Sequence, residues 1–163
     1  MIFNVTITGD TQLIAKFERA QSAVMLALKV KITRLTLLLE NRVKTQKLSG
    51  QVLNRVSGRL MASIGRDVQV KPNGVYGRVF SSGDVKYAAI HEFGGQTAPH
   101  LILPKKASVL RFEAGGKTVF ARKVNHPGSK MPERSFLRSS LRDMSEQISR
   151  EMKESVIKAI KEA

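Results

Sequence analysis

The stretch Tyr87-Ala-Ala-Ile-His-Glu-Phe-Gly-Gly95 is the part of the chain around which the remaining elements can be placed. Its apolar residues Tyr87, Ile90 and Phe93 recur at about three-residue spacing, which favours a short helix with one apolar face. Gly94 and Gly95 then end the helix, because glycine adopts the left-handed conformation of a helix terminus at little steric cost. The sequence therefore predicts a short helix that ends at the glycine pair.

His91 and Glu92 give this stretch its one suggestion of catalytic chemistry. A zinc peptidase needs two histidines one helical turn apart on the same face, with a glutamate between them. Position 95 is glycine, so that motif is absent. We interpret His91 and Glu92 as structural, bonded to backbone or forming a subunit contact. A hydrolase or metal enzyme remains the alternative that rests on this pair alone.

No other motif predicts a catalytic residue, a cofactor or a metal ion. His100 and His126 each stand alone in the sequence, with no second ligand at metal-binding spacing. The segment Gly115-Gly-Lys-Thr118 resembles the end of a phosphate-binding loop, but Arg111 stands where the first glycine of that loop belongs. No nucleophile elbow supports a serine hydrolase. We predict that the protein is not an enzyme.

The composition is that of a folded protein without disulfide bonds. The 163 residues suffice for one domain with its own core, and we predict a single domain over residues 1–163. Hydrophobic residues make up 42% and cysteine is absent, which excludes a disordered tail and a thiol nucleophile. The longest apolar tract, residues 23–39, is interrupted by Lys29, Lys31 and Arg34, so we predict no membrane span. The first residues lack the features of a signal peptide.

The net charge of +15 predicts a polyanionic partner, an acidic partner surface, or both. The candidate interaction surface comprises six basic residues: Arg122, Lys123, Lys130, Arg134, Arg138 and Arg142. We expect the last three, spaced one turn apart, to share a helical face. Such a row fits the phosphates of DNA or an acidic rim on a protein, and we favour the protein. The absence of Trp argues against a protein that stacks on single-stranded bases.

The first half of the chain predicts a strand, a long helix, a short helix and a hairpin. Residues 2–8 alternate as a strand does, and an apolar stripe from Leu13 to Val43 recurs at helical spacing. We expect a loop near residues 47–57 that orders on docking. Ser57 is the expected N-cap of a short helix over residues 58–64. An Asn-Gly pair at Asn73 then predicts a hairpin of residues 67–71 and 75–80.

The second half predicts a second hairpin and a final long helix. Residues 96–106 form a second expected mobile loop, followed by strands over 109–112 and 118–124. Residues 125–132 are rich in turn formers, and Ser135 is an expected cap for a helix with apolar residues from Leu137 to Ile160. The predicted fold class is α+β, with an antiparallel sheet of hairpins packed on a long N-terminal helix and a long C-terminal helix.

The order and spacing of six short motifs resemble those of phage tail-assembly proteins of the tail-completion, or head–tail joining, family. These motifs are Ser57-Gly58-Arg59-Leu60, Ser63-Ile64, Tyr87-Ala88, His91-Glu92-Phe93-Gly94, His126-Pro127-Gly128 and Phe136-Leu137. The resemblance covers about residues 57–142. It makes residues 87–95 a structural corner, comprising Tyr87, Ile90, His91, Glu92, Phe93 and Gly94. For a buried aromatic in that corner we expect Phe93→Ala to cost about 3–5 kcal/mol.

The resemblance implies a structural virion protein of a tailed phage, assembled in the host cytoplasm. Such a protein forms a ring at the head-proximal end of the tail, six copies being the expected number. Its implied partners are further copies of itself, the tail terminator or tail tube protein, the head-completion or connector protein, and DNA that passes through the lumen. It implies no cofactor and no membrane partner. A tail terminator and a basic DNA-binding protein are the alternative functions.

Overall fold

The computed structural model describes residues 10–162, with side chains from Ile14 onward. The described residues form two compact units. The first comprises the chain up to Val85 together with Ser135 onward, and the second is Lys86–Arg134. Long helices and small antiparallel hairpins make up the chain, which confirms the predicted α+β class. The expected strand over residues 2–8 lies outside the described residues, and a single domain over 1–163 stays a prediction.

Two long helices dominate the first unit. Helix α1 spans Asp10–Arg42 and helix α4 spans Leu137–Lys161, as the apolar periodicity predicted. They run antiparallel, since Ala27 lies beside Ser155 and Lys31 Nζ pairs with Glu151 Oε2 at 3.2 Å. Their buried residues form much of the core of this unit. Those residues are Leu35, Thr36, Ser140, Met144 and Ala159.

The helical winding continues beyond α1 and shortens the loop expected near residues 47–57. Residues Val43–Gln51 form a π-helical segment in which only Ser49 and Gly50 leave helical dihedral angles. Lys47, expected at the start of the loop, is buried, and its carbonyl accepts the backbone N–H groups of Val52 and Leu53. The chain therefore leaves its helical path at the Ser49-Gly50 pair. Mobility of the remaining loop stays a prediction.

A hairpin packs on α1 in the first unit. Strands β1 (Ile64–Lys71) and β2 (Gly74–Ser81) pair from Ile64↔Ser81 to Lys71↔Gly74, as the Asn-Gly signal predicted. Gly77 of β2 lies directly against α1, where a Cβ atom would be 2.7 Å from Ile32 Cγ2 and 2.7 Å from Thr36 Oγ1. Glycine therefore permits the close approach of the hairpin to the helix.

Helix α2 (Arg59–Ser63) begins differently from the prediction. Its N-cap is Gly58, in a left-handed conformation with φ of 77°. Ser57 was the expected cap, but it lies one residue earlier, and its Oγ accepts the Arg59 N–H at 3.4 Å. The cap assignment to Ser57 is therefore wrong. Left-handed geometry suits glycine because it has no Cβ atom.

The second unit contains helix α3 (Tyr87–Phe93) and three two-stranded antiparallel sheets. One is the expected hairpin of β5 (Leu110–Ala114) and β6 (Lys117–Ala121). The other two are short pairings: β3 (Gly95–Gln96) with β8 (Lys130–Met131), and β4 (His100–Ile102) with β7 (Val124–His126). The loop expected at 96–106 is thus partly paired with the turn-rich segment. With β1 and β2, the described strands form four small sheets and not one.

Candidate interaction surfaces

Helix α3 has the predicted bounds, but its buried face is not the predicted one. Ala88 and Glu92, one turn apart, are buried at 7% and 3% exposure. Tyr87 is 42% exposed and Phe93 is 63% exposed, while Ile90 is half-buried. The apolar side of the expected corner therefore faces outward at both ends. The small Ala88 and the carboxylate of Glu92 occupy the inner face instead.

The end of α3 is fixed by Gly94 and by the backbone of His91. Gly94 has φ of 69°, and a Cβ atom there would lie 2.9 Å from the backbone nitrogen of Glu133. The His91 carbonyl accepts the Arg134 N–H at 2.7 Å. These contacts hold the end of α3 against the backbone of Glu133 and Arg134, and that residues 87–94 form a structural corner stays a prediction. Gly94 is required both for its dihedral angles and for the close backbone approach.

The His91 ring packs edge-on to Tyr87, with ring centroids 6.0 Å apart and an interplanar angle of 84°. Its Nδ1 atom is buried and has no hydrogen-bond partner among the described residues. The ring is therefore held by packing and by its place in the helix. No second histidine follows one turn later in the sequence, so α3 offers no zinc-peptidase site.

Because Phe93 is largely exposed, Phe93→Ala is now expected to change the free energy of unfolding by less than about 1 kcal/mol. The larger cost predicted from the sequence assumed a buried ring. Urea unfolding followed by circular dichroism measures the difference. A loss of about 3 kcal/mol or more would show that Phe93 is buried in the folded protein in solution.

The structure brings together two histidines that the sequence left apart. His100 and His126 are register partners in the β4–β7 pair, and their rings stack with centroids 4.9 Å apart. His126 Nδ1 accepts the Gly128 N–H at 3.0 Å, and His100 Nδ1 lies 3.2 Å from the Ala98 carbonyl, to which it can only donate. Each ring thus uses Nδ1 to hold its own loop. Only strand pairing, which the sequence did not predict here, places them side by side.

Metal-binding and membrane-spanning features are both lacking over residues 10–162. No group of three or more His, Cys, Asp or Glu side chains in this range is placed to hold a metal ion. None of the helices within these residues has the apolar length that a bilayer crossing needs.

All six residues of the candidate interaction surface are exposed. Arg122, Lys123, Lys130 and Arg134 belong to the second unit, whereas Arg138 and Arg142 lie on α4 in the first. Helix α4 begins at Leu137, so Arg134 does not share a helical face with Arg138 and Arg142. The expected three-residue row is therefore wrong at its first member. That the six residues form one surface stays a prediction.

A buried lysine joins the π-helical segment to α4. Lys47 Nζ lies 2.8 Å from Asp143 Oδ2, and Arg42 Nη2 lies 3.3 Å from the same oxygen. The Lys47 side chain is only 7% exposed. Its hydrogen bond lowers the pKa of Asp143 below the ordinary value, against the opposing effect of burial, and Arg42 lowers it further. Asp143 thus neutralises a buried cation, a role that its surface position in the helix did not predict.

We expect Asp143→Asn to destabilise the protein at neutral pH, because it leaves Lys47 buried without its counter-ion. A carboxylate with a lowered folded-state pKa contributes stability above its unfolded pKa and loses it as pH falls through the folded value. The difference between wild type and variant should therefore shrink below about pH 4. Urea unfolding across this pH range measures it. Glu146→Gln, on an exposed position of the same helix, is the control; an equally large pH-dependent difference there would contradict the assignment.

Large apolar side chains are exposed along both long helices. On α1, Leu26 and Val30 are each 64% exposed; on α4, Leu141, Ile157 and Ile160 are between 51% and 55% exposed. Leu26 and Val30 lie one turn apart on α1, and Ile157 and Ile160 lie three residues apart on α4, so each pair shares a helical face. Adjacent exposed apolar side chains are typical of surfaces that contact other chains. The apolar residues of both helices therefore extend beyond the contact between the two helices.

The N-terminal part of α1 extends beyond the end of α4. Ser155 lies opposite Ala27, and α4 ends about six residues after Ser155, so its end lies opposite about position 21 of α1. Because α1 begins at Asp10, about ten residues project past α4, roughly 15 Å of helix. We call residues 10–20 the arm. Its apolar residues Ile14 and Phe17 are 55% and 68% exposed.

A groove lies between α1 and α4 directly after the arm, with a volume of about 600 Å³. Its lining combines small and apolar residues with charged residues of both signs. The small and apolar residues are Ala23, Leu26, Ala27, Val30, Ser155 and Ala159. The charged residues are Lys31, Glu154, Lys158 and Glu162. The alanines and the serine leave the space that larger side chains would fill.

The hairpin β5–β6 in the second unit has little buried surface on either face. Phe120 is 64% exposed and Phe112 is 37% exposed, and residues 111–118 are all exposed. A two-stranded hairpin with no covering layer is marginally stable in water. The exposed aromatic residues of this hairpin are therefore a second candidate contact surface.

Comparison of the chain with protein-family profiles, curated proteins and solved structures finds no match.

Proposed function

We propose that this protein is a structural component of a phage tail, which forms a ring at the head-proximal end and joins the tail to the head connector. The observation that carries the proposal is the exposed apolar surface of α1 and α4, at Phe17, Leu26, Val30 and Ile157. A surface of that kind marks contacts with other protein chains. In a ring, each copy would cover part of it with its neighbour.

Three further features support an assembly role. The motif order resembles that of tail-completion proteins, and residues Tyr87–Phe93, which this resemblance makes part of a structural corner, form a short helix with Gly94 as its C-cap. Phe112 and Phe120 are exposed on a hairpin that needs a covering partner. The net charge of +15 suits a protein placed around DNA or against an acidic connector surface.

Light scattering on a sizing column, with and without isolated tails, tests this function. We expect either a ring of about six copies or a monomer that adds only to tails. Binding to duplex DNA, measured at low and high salt, tests the alternative of a basic DNA-binding protein, because DNA binding weakens steeply as salt rises. A protein that ignores tails, remains a monomer and binds duplex DNA would overturn the proposal in favour of a basic DNA-binding protein.

A substitution in the β5–β6 hairpin tests whether its exposed aromatic residues contact another protein. Phe120→Ser changes an exposed residue of β6 and should leave the unfolding curve close to that of wild type. If the hairpin contacts a tail protein, Phe120→Ser should reduce the addition of the protein to tails. Thr118→Ser, at an exposed position of the same strand, is the matched control and should leave addition unchanged.

A further inference from the structure

We propose that the arm of one copy binds in the groove between α1 and α4 of the neighbouring copy. This inference rests on the proposed function and names the subunit contact within it. It is carried by two features of the same helix: an exposed apolar projection at Ile14 and Phe17, and an apolar groove that begins directly after it.

The dimensions of the arm and the groove correspond. The groove runs along α1 from Ala23 to Val30, roughly 10 Å of helix. The arm projects roughly 15 Å past α4, so its exposed part is long enough to fill the groove. The arm cannot reach the groove of its own chain, because both lie on one continuous helix. Binding of the arm in the groove of a second copy covers the apolar residues of both surfaces.

The charges also favour a copy of this chain over an acidic partner or a nucleic acid. Glu154 and Glu162 in the groove lining would repel phosphates or a strongly acidic surface, and Lys31 and Lys158 belong to the same lining. The arm carries charges of both signs, at Lys16, Glu18 and Arg19, all exposed. Mixed charges on both sides can pair when one surface meets the other, although each exposed pair contributes little.

Such a contact joins two different surfaces of identical subunits. A head-to-tail contact of this kind closes into a ring when the rotation between copies allows it. Ring closure buries Phe17, Leu26 and Val30, which are the most exposed large apolar residues of α1 among those the structure describes. The same contact therefore accounts for the arm, the groove and the exposed Leu26 and Val30 of α1 together.

The absence of cysteine in the chain permits a sharp test by disulfide cross-linking. Phe17→Cys and Val30→Cys proteins are mixed, oxidised, digested and analysed by mass spectrometry, and the wild-type mass is measured in parallel. We expect a disulfide between the arm of one copy and the groove of another. Gln46→Cys, exposed on the π-helical segment, is the control that should not join to Phe17→Cys.

A second variant tests the energetic role of the arm. Phe17→Ser should raise the dissociation constant of the assembly at least about tenfold while leaving thermal unfolding of the chain unchanged, because Phe17 is 68% exposed. Assembly that persists with Phe17→Ser, or arm-to-arm disulfides alone, or a wild-type protein that stays monomeric in every condition, would overturn the arm–groove contact. In each of these cases, addition of the wild-type protein to tails would still support the proposed function. Failure to add to tails would overturn that function separately.

Discussion

Phe136→Ala should lower the free energy of unfolding by about 3–5 kcal/mol, the largest effect expected of a single substitution in this chain. Phe136 immediately precedes α4 and is 0% exposed. Its carbonyl accepts the Ser140 hydroxyl at 2.6 Å, which anchors the first turn of the helix. Removal of the ring leaves a cavity that its neighbours fill only in part, and urea unfolding measures the loss.

The control is Phe120→Ala, which removes the same ring from an exposed position and should cost less than about 1 kcal/mol. If the two substitutions changed stability equally, Phe136 would not be part of the core. Phe136→Leu should recover part of the loss, because it restores much of the apolar volume.

Gly77→Ala should cost about 1–3 kcal/mol, although it adds only one methyl group. The new Cβ atom would lie 2.7 Å from Ile32 Cγ2 and from Thr36 Oγ1. Both neighbours are β-branched residues inside a helix, where their rotamers have little freedom. Strand β2 must therefore move away from α1, and the thermal midpoint of the protein should fall.

Gly83→Ala is the matched control, since nothing lies within 4 Å of the position that its new methyl group would occupy and its backbone does not have positive φ. That substitution should leave stability unchanged or raise it by about 0.4–1 kcal/mol through the unfolded chain. A thermal midpoint for Gly77→Ala equal to that of Gly83→Ala would contradict the close packing of β2 on α1.

The sequence was sufficient for elements with a strong local signal. Apolar spacing predicted α1 and α4, and the glycine pair predicted the end of α3 at Phe93. Turn formers predicted both hairpins, the second through Gly115 and Gly116. In each case the decisive information lies within a few residues of the element itself.

Burial could not be predicted where it depends on distant residues. Phe93 was expected to be buried because it shares an apolar face with Tyr87 and Ile90, but the inner face of α3 is formed by Ala88 and Glu92. Lys47 was expected in a polar loop, but it is buried because Asp143, far along the chain, supplies its counter-charge. Pairings of two or three residues, such as β3 with β8, carry too little periodicity to be recognised.

Only part of the candidate surfaces could be predicted from the sequence. The basic residues were identified, yet Arg134 does not lie on the helix that carries Arg138. The arm depends on where α4 ends relative to α1, and the stacking of His100 on His126 depends on the β4–β7 register. Neither relation follows from spacing along one segment.

The division of the described strands into four two-stranded sheets has a consequence for hydrogen exchange. In a two-stranded sheet every strand has one open side, so alternate amide groups of β1 and β5 lack a partner within their own sheet. Such amides exchange rapidly with solvent, while their neighbours in the ladder exchange slowly. If a neighbouring chain adds a strand, new protection appears at alternate positions, and the period of two would identify which sheet has been extended.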